Sequence, residues 1–178
     1  MKRRDFLLVS SAAILAPPLV FARDRPPSAV ELARPLDPPR MARGLVMTDE
    51  AGAVLSIGSY SGKLVLLNLW GPWCAPCRRE MPSLSRLAAS NDPEKLAIIP
   101  LAFDWRGAKA VRSFYDELAI ANLPVVMGKG ENADAVLGLS RLPTTALIDR
   151  EGNGFAAVAG EATWDDDATI AWLAKLAG

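Results

Sequence analysis

The sequence predicts an α/β sandwich, with a mixed central sheet, helices on both faces and a short N-terminal β-hairpin. Three observations carry that expectation. Apolar runs that suit buried strands, LVLLNLW at 64–70 and LAIIPLAFD at 96–104, alternate with segments of helical period. Two further runs, TTALID and GFAAVAG, are separated only by a turn, so the sheet must contain an antiparallel pair. A last helical pattern then closes the chain.

In chain order, MKRRDFLLVSSAAILAPPLVFA reads as an export signal, with Arg3 and Arg4 before an apolar stretch and small residues at Val20 and Ala22. The order RR-x-F-L points to the twin-arginine route, although the usual Ser before and Lys after are missing. Cleavage is expected after Ala22, giving a soluble periplasmic protein. A retained membrane anchor is the alternative, but the stretch falls short of the ~20 residues that span a bilayer and is broken by Pro17-Pro18. Residues 23–43 hold five prolines without a period and read as an extended tether. Residues 44–178 are then one domain, large enough to fold around its own core.

Within that domain, MTDEAGAVLSI predicts two short strands about a turn at Glu50–Gly52. LVLLNLW, apolar on both faces except for Asn68, suits a strand in the middle of the sheet. From Ala75 to about Ala89 a helix presents Met81, Leu84, Leu87 and Ala88 on one face, with a kink at Pro82. The strand 96–104 contains Pro100, which cannot donate to a ladder, so a bulge or early end is expected there. Val111, Phe114, Tyr115 and Leu118 have the spacing of a helix docked on the sheet. A short strand at Pro124–Met127, a helix at Asn132–Leu139, the hairpin turning at Arg150–Asn153 and a helix from about Asp165 to Ala177 complete the domain.

Composition excludes much. Without the signal the chain carries 17 basic and 19 acidic side chains, which gives no electrostatic case for nucleic acid or an anionic membrane. There is no histidine, hence no His-Cys nucleophile pair, no imidazole-ligated metal and no C-x-x-C-H haem attachment. The two cysteines lie in NLWGPWCAPCRREMP, two residues apart. A tetrahedral zinc site needs four ligands and this pair supplies two, so no metal or other cofactor is expected. As a staple the pair closes too small a loop to constrain the unfolded chain.

A reactive dithiol remains, and its placement agrees: the cysteines follow a buried strand and open a helix, where unpaired N–H groups stabilise a thiolate. Cys74 at the helix mouth is the expected attacking thiolate and Cys77, one turn in, the resolving thiol. Pro76 falls in the first turn, where a missing N–H costs nothing. Trp73 offers an apolar surface for a partner chain.

With these motifs the chain resembles the thioredoxin superfamily: W-C-A-P-C follows G-K-x-V-x-L-N-x-W (Gly62 to Trp70) and precedes L-P-T-T-x-L-I-D (Leu142 to Asp149). R-R-E-M-P after the second cysteine is similar to its exported TlpA/ResA-like (CcmG/DsbE-like) branch. The resemblance implies a thioredoxin-like three-layer sandwich, a cis-proline at Pro143 lying against the dithiol, and backbone groups of Leu142 offered to an extended substrate. Where thioredoxins carry a buried Asp, this chain has Asn68, which cannot exchange a proton near neutral pH. Glu80, three residues after Cys77 on the same helix face, is the candidate to take the proton from Cys77, and the branch carries an acid there. Arg78 and Arg79 oppose the helix dipole and either hold a thiolate or carboxylate charged or are merely exposed.

The expected function is reduction of disulfides in exported partner proteins. Dithiol oxidants of the DsbA type carry a large helical insertion and commonly a His between the cysteines; here 65 residues separate Cys77 from Pro143 and the dipeptide is Ala-Pro. An oxidant or isomerase is the alternative within the fold, and a non-catalytic metal- or peptide-binding module the alternative outside it. The resemblance further implies a membrane electron donor of the DsbD/CcdA type and clients such as apocytochrome c or copper-site assembly proteins. A monomer without nucleic-acid partners is expected.

Overall fold

The computed structural model describes residues 25–178, so the export signal expected at 1–22 and the expected cleavage after Ala22 lie outside the described residues. Among these residues eight strands form one sheet: β1 (Ala33–Met41), β2 (Met47–Asp49), β3 (Val54–Leu55), β4 (Leu64–Trp70), β5 (Leu96–Ala102), β6 (Val126–Gly128), β7 (Thr144–Ile148) and β8 (Asn153–Ala159). Their spatial order is β1-β8-β7-β4-β5-β6-β2-β3. β4 runs parallel to β5 and antiparallel to β7, which makes the sheet mixed. Among the described residues five α-helices accompany it: α1 (Ala29–Leu32), α2 (Ala75–Ser90), α3 (Ala108–Glu117), α4 (Gly130–Leu137) and α5 (Asp167–Ala177). This is the thioredoxin-like sandwich.

Every residue of β4 is buried, because alternate side chains enter two separate cores. Leu64, Leu66 and Trp70 join Met81, Leu84 and Leu87 of α2, Phe114 and Tyr115 of α3, and Leu173 of α5. Val65, Leu67 and Leu69 face the other way, against Ala133 and Leu137 of α4. The period-2 alternation thus sends Asn68 to the α2 side, which decides its partner. At the top of β4 the Trp70 ring stacks on Tyr115 with centroids 5.7 Å apart.

Four expectations are corrected. Residues 23–43 are no free tether where they are described: α1 forms and β1 pairs antiparallel with β8. The prolines explain the misreading. Ala33–Pro35 and Arg40–Met41 supply the paired residues, and the register shifts between Pro35 and Arg40, on an edge strand where proline is tolerated. No bulge occurs at Pro100: β4 and β5 stay in register from Leu64–Leu96 to Trp70–Ala102. β6 joins β5 only at Leu101 and Ala102, so that flank of the strand has no ladder at Pro100 for a missing N–H to break. Leu118 lies past the end of α3 and is 38% exposed, leaving Val111, Phe114 and Tyr115 as the docked face. Finally, α5 begins at Asp167, because Asp166 serves as its cap, its carboxylate accepting from the Thr169 N–H.

Candidate active site

The chain leaves β4 at Trp70, passes Gly71-Pro72-Trp73 and enters α2 with Cys74 as the N-cap. Gly71 is required by space, since a Cβ there would lie 2.8 Å from the Trp73 ring and 3.0 Å from the Phe103 carbonyl. Trp73 donates its indole N–H to that carbonyl at 2.8 Å, which fixes the ring while leaving it 60% exposed. Cys74 and Cys77 form a disulfide, and Cys74 Sγ accepts from the Cys77 N–H at 3.4 Å. The sulfur therefore occupies the site where a helix N-terminus offers its unpaired donors to an anion. Cys77 is wholly buried and Cys74 nearly so. Pro76 falls in the first turn of α2, and the helix runs through Pro82.

Glu80 is the unusual residue. It is 1% exposed, inside the core, and is held from two sides. Asn68 Nδ2 donates to Glu80 Oε1 at 2.8 Å, and the Ala162 N–H donates to Oε2 at 3.2 Å. The same Asn68 nitrogen donates to Thr145 Oγ1 at 2.9 Å, so β7 anchors the amide that meets α2. Burial pushes the carboxyl up to about 7; the donors from Asn68 and Ala162 oppose that rise, and the charge of Glu161 adds to it. Trp164 gives a weaker opposing contribution although its indole N–H makes no hydrogen bond of normal geometry. A carboxyl balanced near neutral pH can both take and return a proton.

A groove of about 710 Å³ runs beside the disulfide, with Trp73, Cys74, Pro76, Phe103 and Leu142 on its walls. The Leu142–Pro143 bond is cis, and Leu142 packs against both cores. Glu131 and Asp134, three apart on α4, line the outer side of this groove. Arg78 and Arg79 are engaged by carboxylates outside the dithiol. Arg78 pairs with Glu117 at 2.9 Å and lies over the Phe114 ring, and Arg79 grips Glu161 at 3.0 Å. Among the described residues no group of three or more Cys, Asp or Glu gathers as a metal site would require.

The structure thus brings Trp73, Cys74, Pro76 and Leu142 to one groove and buries Glu80 below the helix mouth. Sequence reasoning missed Thr145, the Ala162 N–H and the two α4 carboxylates. Ala162 is 82 positions from Glu80, and a backbone donor leaves no residue signature; Thr145 sits in the L-P-T-T motif but is tied to Asn68 only by strand register.

The AhpC/TSA family matches residues 40–153. The chain is 34% identical over 122 residues to the thiol-disulfide oxidoreductase ResA of Bacillus thuringiensis strain Al Hakam, covering 68% of this chain and 69% of that one. It is 36% identical over 104 residues to the thioredoxin-like protein YneN of Bacillus subtilis, 57% of this chain and 59% of that one. Among solved structures it is similar to a secreted Mycobacterium tuberculosis disulfide oxidoreductase homologous to E. coli DsbE, with TM-score 0.62, 24% identity, and coverage of 76% of this chain and 98% of that one. A thiol:disulfide interchange protein of the thioredoxin family from Chlorobium tepidum gives TM-score 0.60 at 24% identity, over 79% of this chain and 97% of that one.

Proposed function

This chain belongs to the AhpC/TSA family, as a thiol-disulfide oxidoreductase of thioredoxin-like fold, and on that premise we propose that it reduces disulfides of exported partner proteins with Cys74 as nucleophile. The reduced Cys74 thiolate attacks one sulfur of the partner's disulfide; the second partner sulfur leaves as a thiolate and is protonated. Cys77 then gives its proton to Glu80 and attacks the Cys74 sulfur. The partner's other sulfur departs, taking a proton, and the Cys74–Cys77 disulfide remains. Two electrons have passed to the partner.

The observation that carries this reading is the buried Glu80, three residues beyond Cys77 and balanced near neutral pH under a helix mouth that holds Cys74. Asn68 holds the carboxyl in place without competing for the proton. The groove walls of Trp73, Phe103 and Leu142 suit an extended apolar segment of the client, passing Cys74 where it lines the groove.

Reduction outside the cytoplasm fits the export signal at 1–22, and the spent disulfide then needs a membrane donor of the DsbD/CcdA type. Apocytochrome c and copper-site assembly proteins are the client classes that the ResA-like resemblance suggests. Among the described residues no helix is long and apolar enough to cross a membrane. The test is a trap. Cys77→Ala, reduced and mixed with periplasmic extract, should collect disulfide-linked partners on Cys74 that dithiothreitol releases. Trapping by Cys74→Ala instead would reverse the roles.

A further inference from the structure

One face of α2 is stitched to the segment that follows β8. Arg79 Nε binds the Glu161 carboxylate at 3.0 Å, Glu80 Oε2 accepts the Ala162 N–H at 3.2 Å, Ser83 Oγ accepts the Trp164 N–H at 3.3 Å, and Arg86 Nε binds Asp165 at 2.6 Å. These positions recur at helical spacing, so four successive contacts fall on one stripe. Ala162 and Trp164 are buried, which makes the segment Glu161–Asp165 a cover over the Glu80 carboxyl.

The other edge of this cover is held by the residues that open the described chain. The Thr163 N–H donates to the Pro27 carbonyl at 2.8 Å, and the Ala29 N–H donates back to the Thr163 carbonyl at 3.0 Å. Thr163 Oγ1 donates to the Pro26 carbonyl at 2.8 Å, and Ser28 Oγ to Asp166 at 2.8 Å. Pro26–Ala29 is a strap across the back of the cover. It joins the proline-rich segment to the cover at Thr163 and to the start of α5 at Asp166.

We propose that the Pro26–Ala29 strap and the Arg79–Glu161 pair are positioning elements for Glu80, keeping Glu161–Asp165 closed over its carboxyl and water away from it. The proposal rests on the reading of Glu80 as the proton relay. Arg79 is 60% exposed on its side chain, so its ion pair contributes little to stability; what it fixes is the place of Glu161, next to the residue that donates to Glu80. The titratable or charged groups of the elements around the carboxyl are Cys77, Arg78, Arg79 and Arg86 on α2 and Glu161 and Asp165 on the cover, with Arg78 paired to Glu117 and Arg86 to Asp165, while β4 and β7 contribute the neutral Asn68 and Thr145. Loosening the cover admits water, which favours the carboxylate, and removes the Ala162 donor, which disfavours it. Desolvation is the larger of the two causes, so the net movement is downward, toward the ordinary 4.5.

Two variants open the cover from its two edges. Arg79→Leu/Glu161→Gln removes the ion pair together with the Glu161 charge that itself raises Glu80, so a variant that keeps both charges is needed beside it to separate opening of the cover from loss of that charge. Ala29→Pro removes the N–H that binds Thr163, at the first position of α1, where proline suits a helix and Ser28 is already extended; because Ala29 is wholly buried the ring also has to be packed, which the melting check reads. Glu80 is titrated by carboxyl ¹³C NMR in the oxidised protein, its resonance identified with Glu80→Gln and the fold checked by thermal melting. Both variants should lower its midpoint by about one unit, a tenfold loss of proton affinity, with the pH midpoint of disulfide turnover moving alongside. Arg79→Lys should stay near the native value. An unchanged or raised midpoint in either folded variant overturns the proposal. The titration needs no turnover, so a chain that shows the shift yet reduces no disulfide would sink the relay reading and leave the positioning role standing.

Discussion

Asn68 Nδ2 on the central strand and Glu80 Oε1 on the dithiol helix are 2.8 Å apart, and both residues are buried. The contact follows from β4's alternation, which points Asn68 toward α2. It gives the carboxyl a donor that favours its charged form, while burial favours the neutral one and wins. Glu80→Gln keeps the size and one of the two acceptor oxygens but cannot carry a proton. Turnover of a partner disulfide should fall by roughly 10²-fold, the lower end for a general acid–base group, and lose its inflection near neutrality. Stopped-flow Trp73 fluorescence measures both; an unaltered rate across about pH 5 to 9, which brackets the groups involved, would make Glu80 a structural residue.

Stability should carry the same signature. Glu80 rises from 4.5 to about 7 on folding, so the folded protein holds a proton that the unfolded chain has released. The sign is therefore a loss of stability as pH rises through that window, nothing below about 4.5 and the full effect above about 7, of order 3 kcal/mol at ~1.4 kcal/mol per unit. Urea unfolding of native protein and Glu80→Gln at several pH values should show the slope in the first and its disappearance in the second. Equal slopes would mean that the carboxyl is hydrated.

Cys74 should react first. Its sulfur caps the helix and lines the groove, whereas Cys77 is wholly buried. Iodoacetamide on the reduced protein at neutral pH, followed by peptide mass analysis, should find Cys74 modified well ahead of Cys77, because a thiol at a helix N-terminus titrates low. Faster labelling of Cys77 would exchange their roles.

The groove has a charge preference. Glu131 and Asp134 line it and form no ion pair among the described residues. Clients with a Lys or Arg near the disulfide should be favoured at the encounter. Glu131→Lys/Asp134→Lys should slow reduction of a lysine-flanked disulfide peptide several-fold and leave a small neutral disulfide unchanged. Equal effects on both substrates would place the change in the dithiol itself.

The parts of this site that were legible in the sequence are those set by local pattern. The uncharged run 64–70 and the proline-bearing helix start fixed β4 and α2 to within a residue or two, and with them Cys74, Cys77 and the helix face of Glu80. The illegible parts depend on pairing between distant segments. Proline composition in 23–43 describes the unfolded preference of that stretch and says nothing of the edge of β8 that receives it. The burial of Glu80 comes from the Glu161–Asp165 cover, which meets the Glu80 and Ser83 side chains through backbone donors, and the roles of Arg78 and Arg79 were open until Glu117 and Glu161 proved to be their partners.

The central claim, that electrons leave this dithiol for a partner's disulfide, is tested most directly by its midpoint potential. A disulfide becomes oxidising when the folded protein strongly stabilises the reduced thiolate. Here Cys74 has the helix N-terminus, but Arg78 and Arg79 are engaged by Glu117 and Glu161, and the residues between the cysteines are Ala75 and Pro76. Redox titration of the purified protein against dithiothreitol, followed by Trp73 fluorescence, should give a value near thioredoxin's, about −270 mV, where ~30 mV is a tenfold change in equilibrium constant. A midpoint more oxidising than about −180 mV, in the range of disulfide isomerases and oxidants, would contradict it.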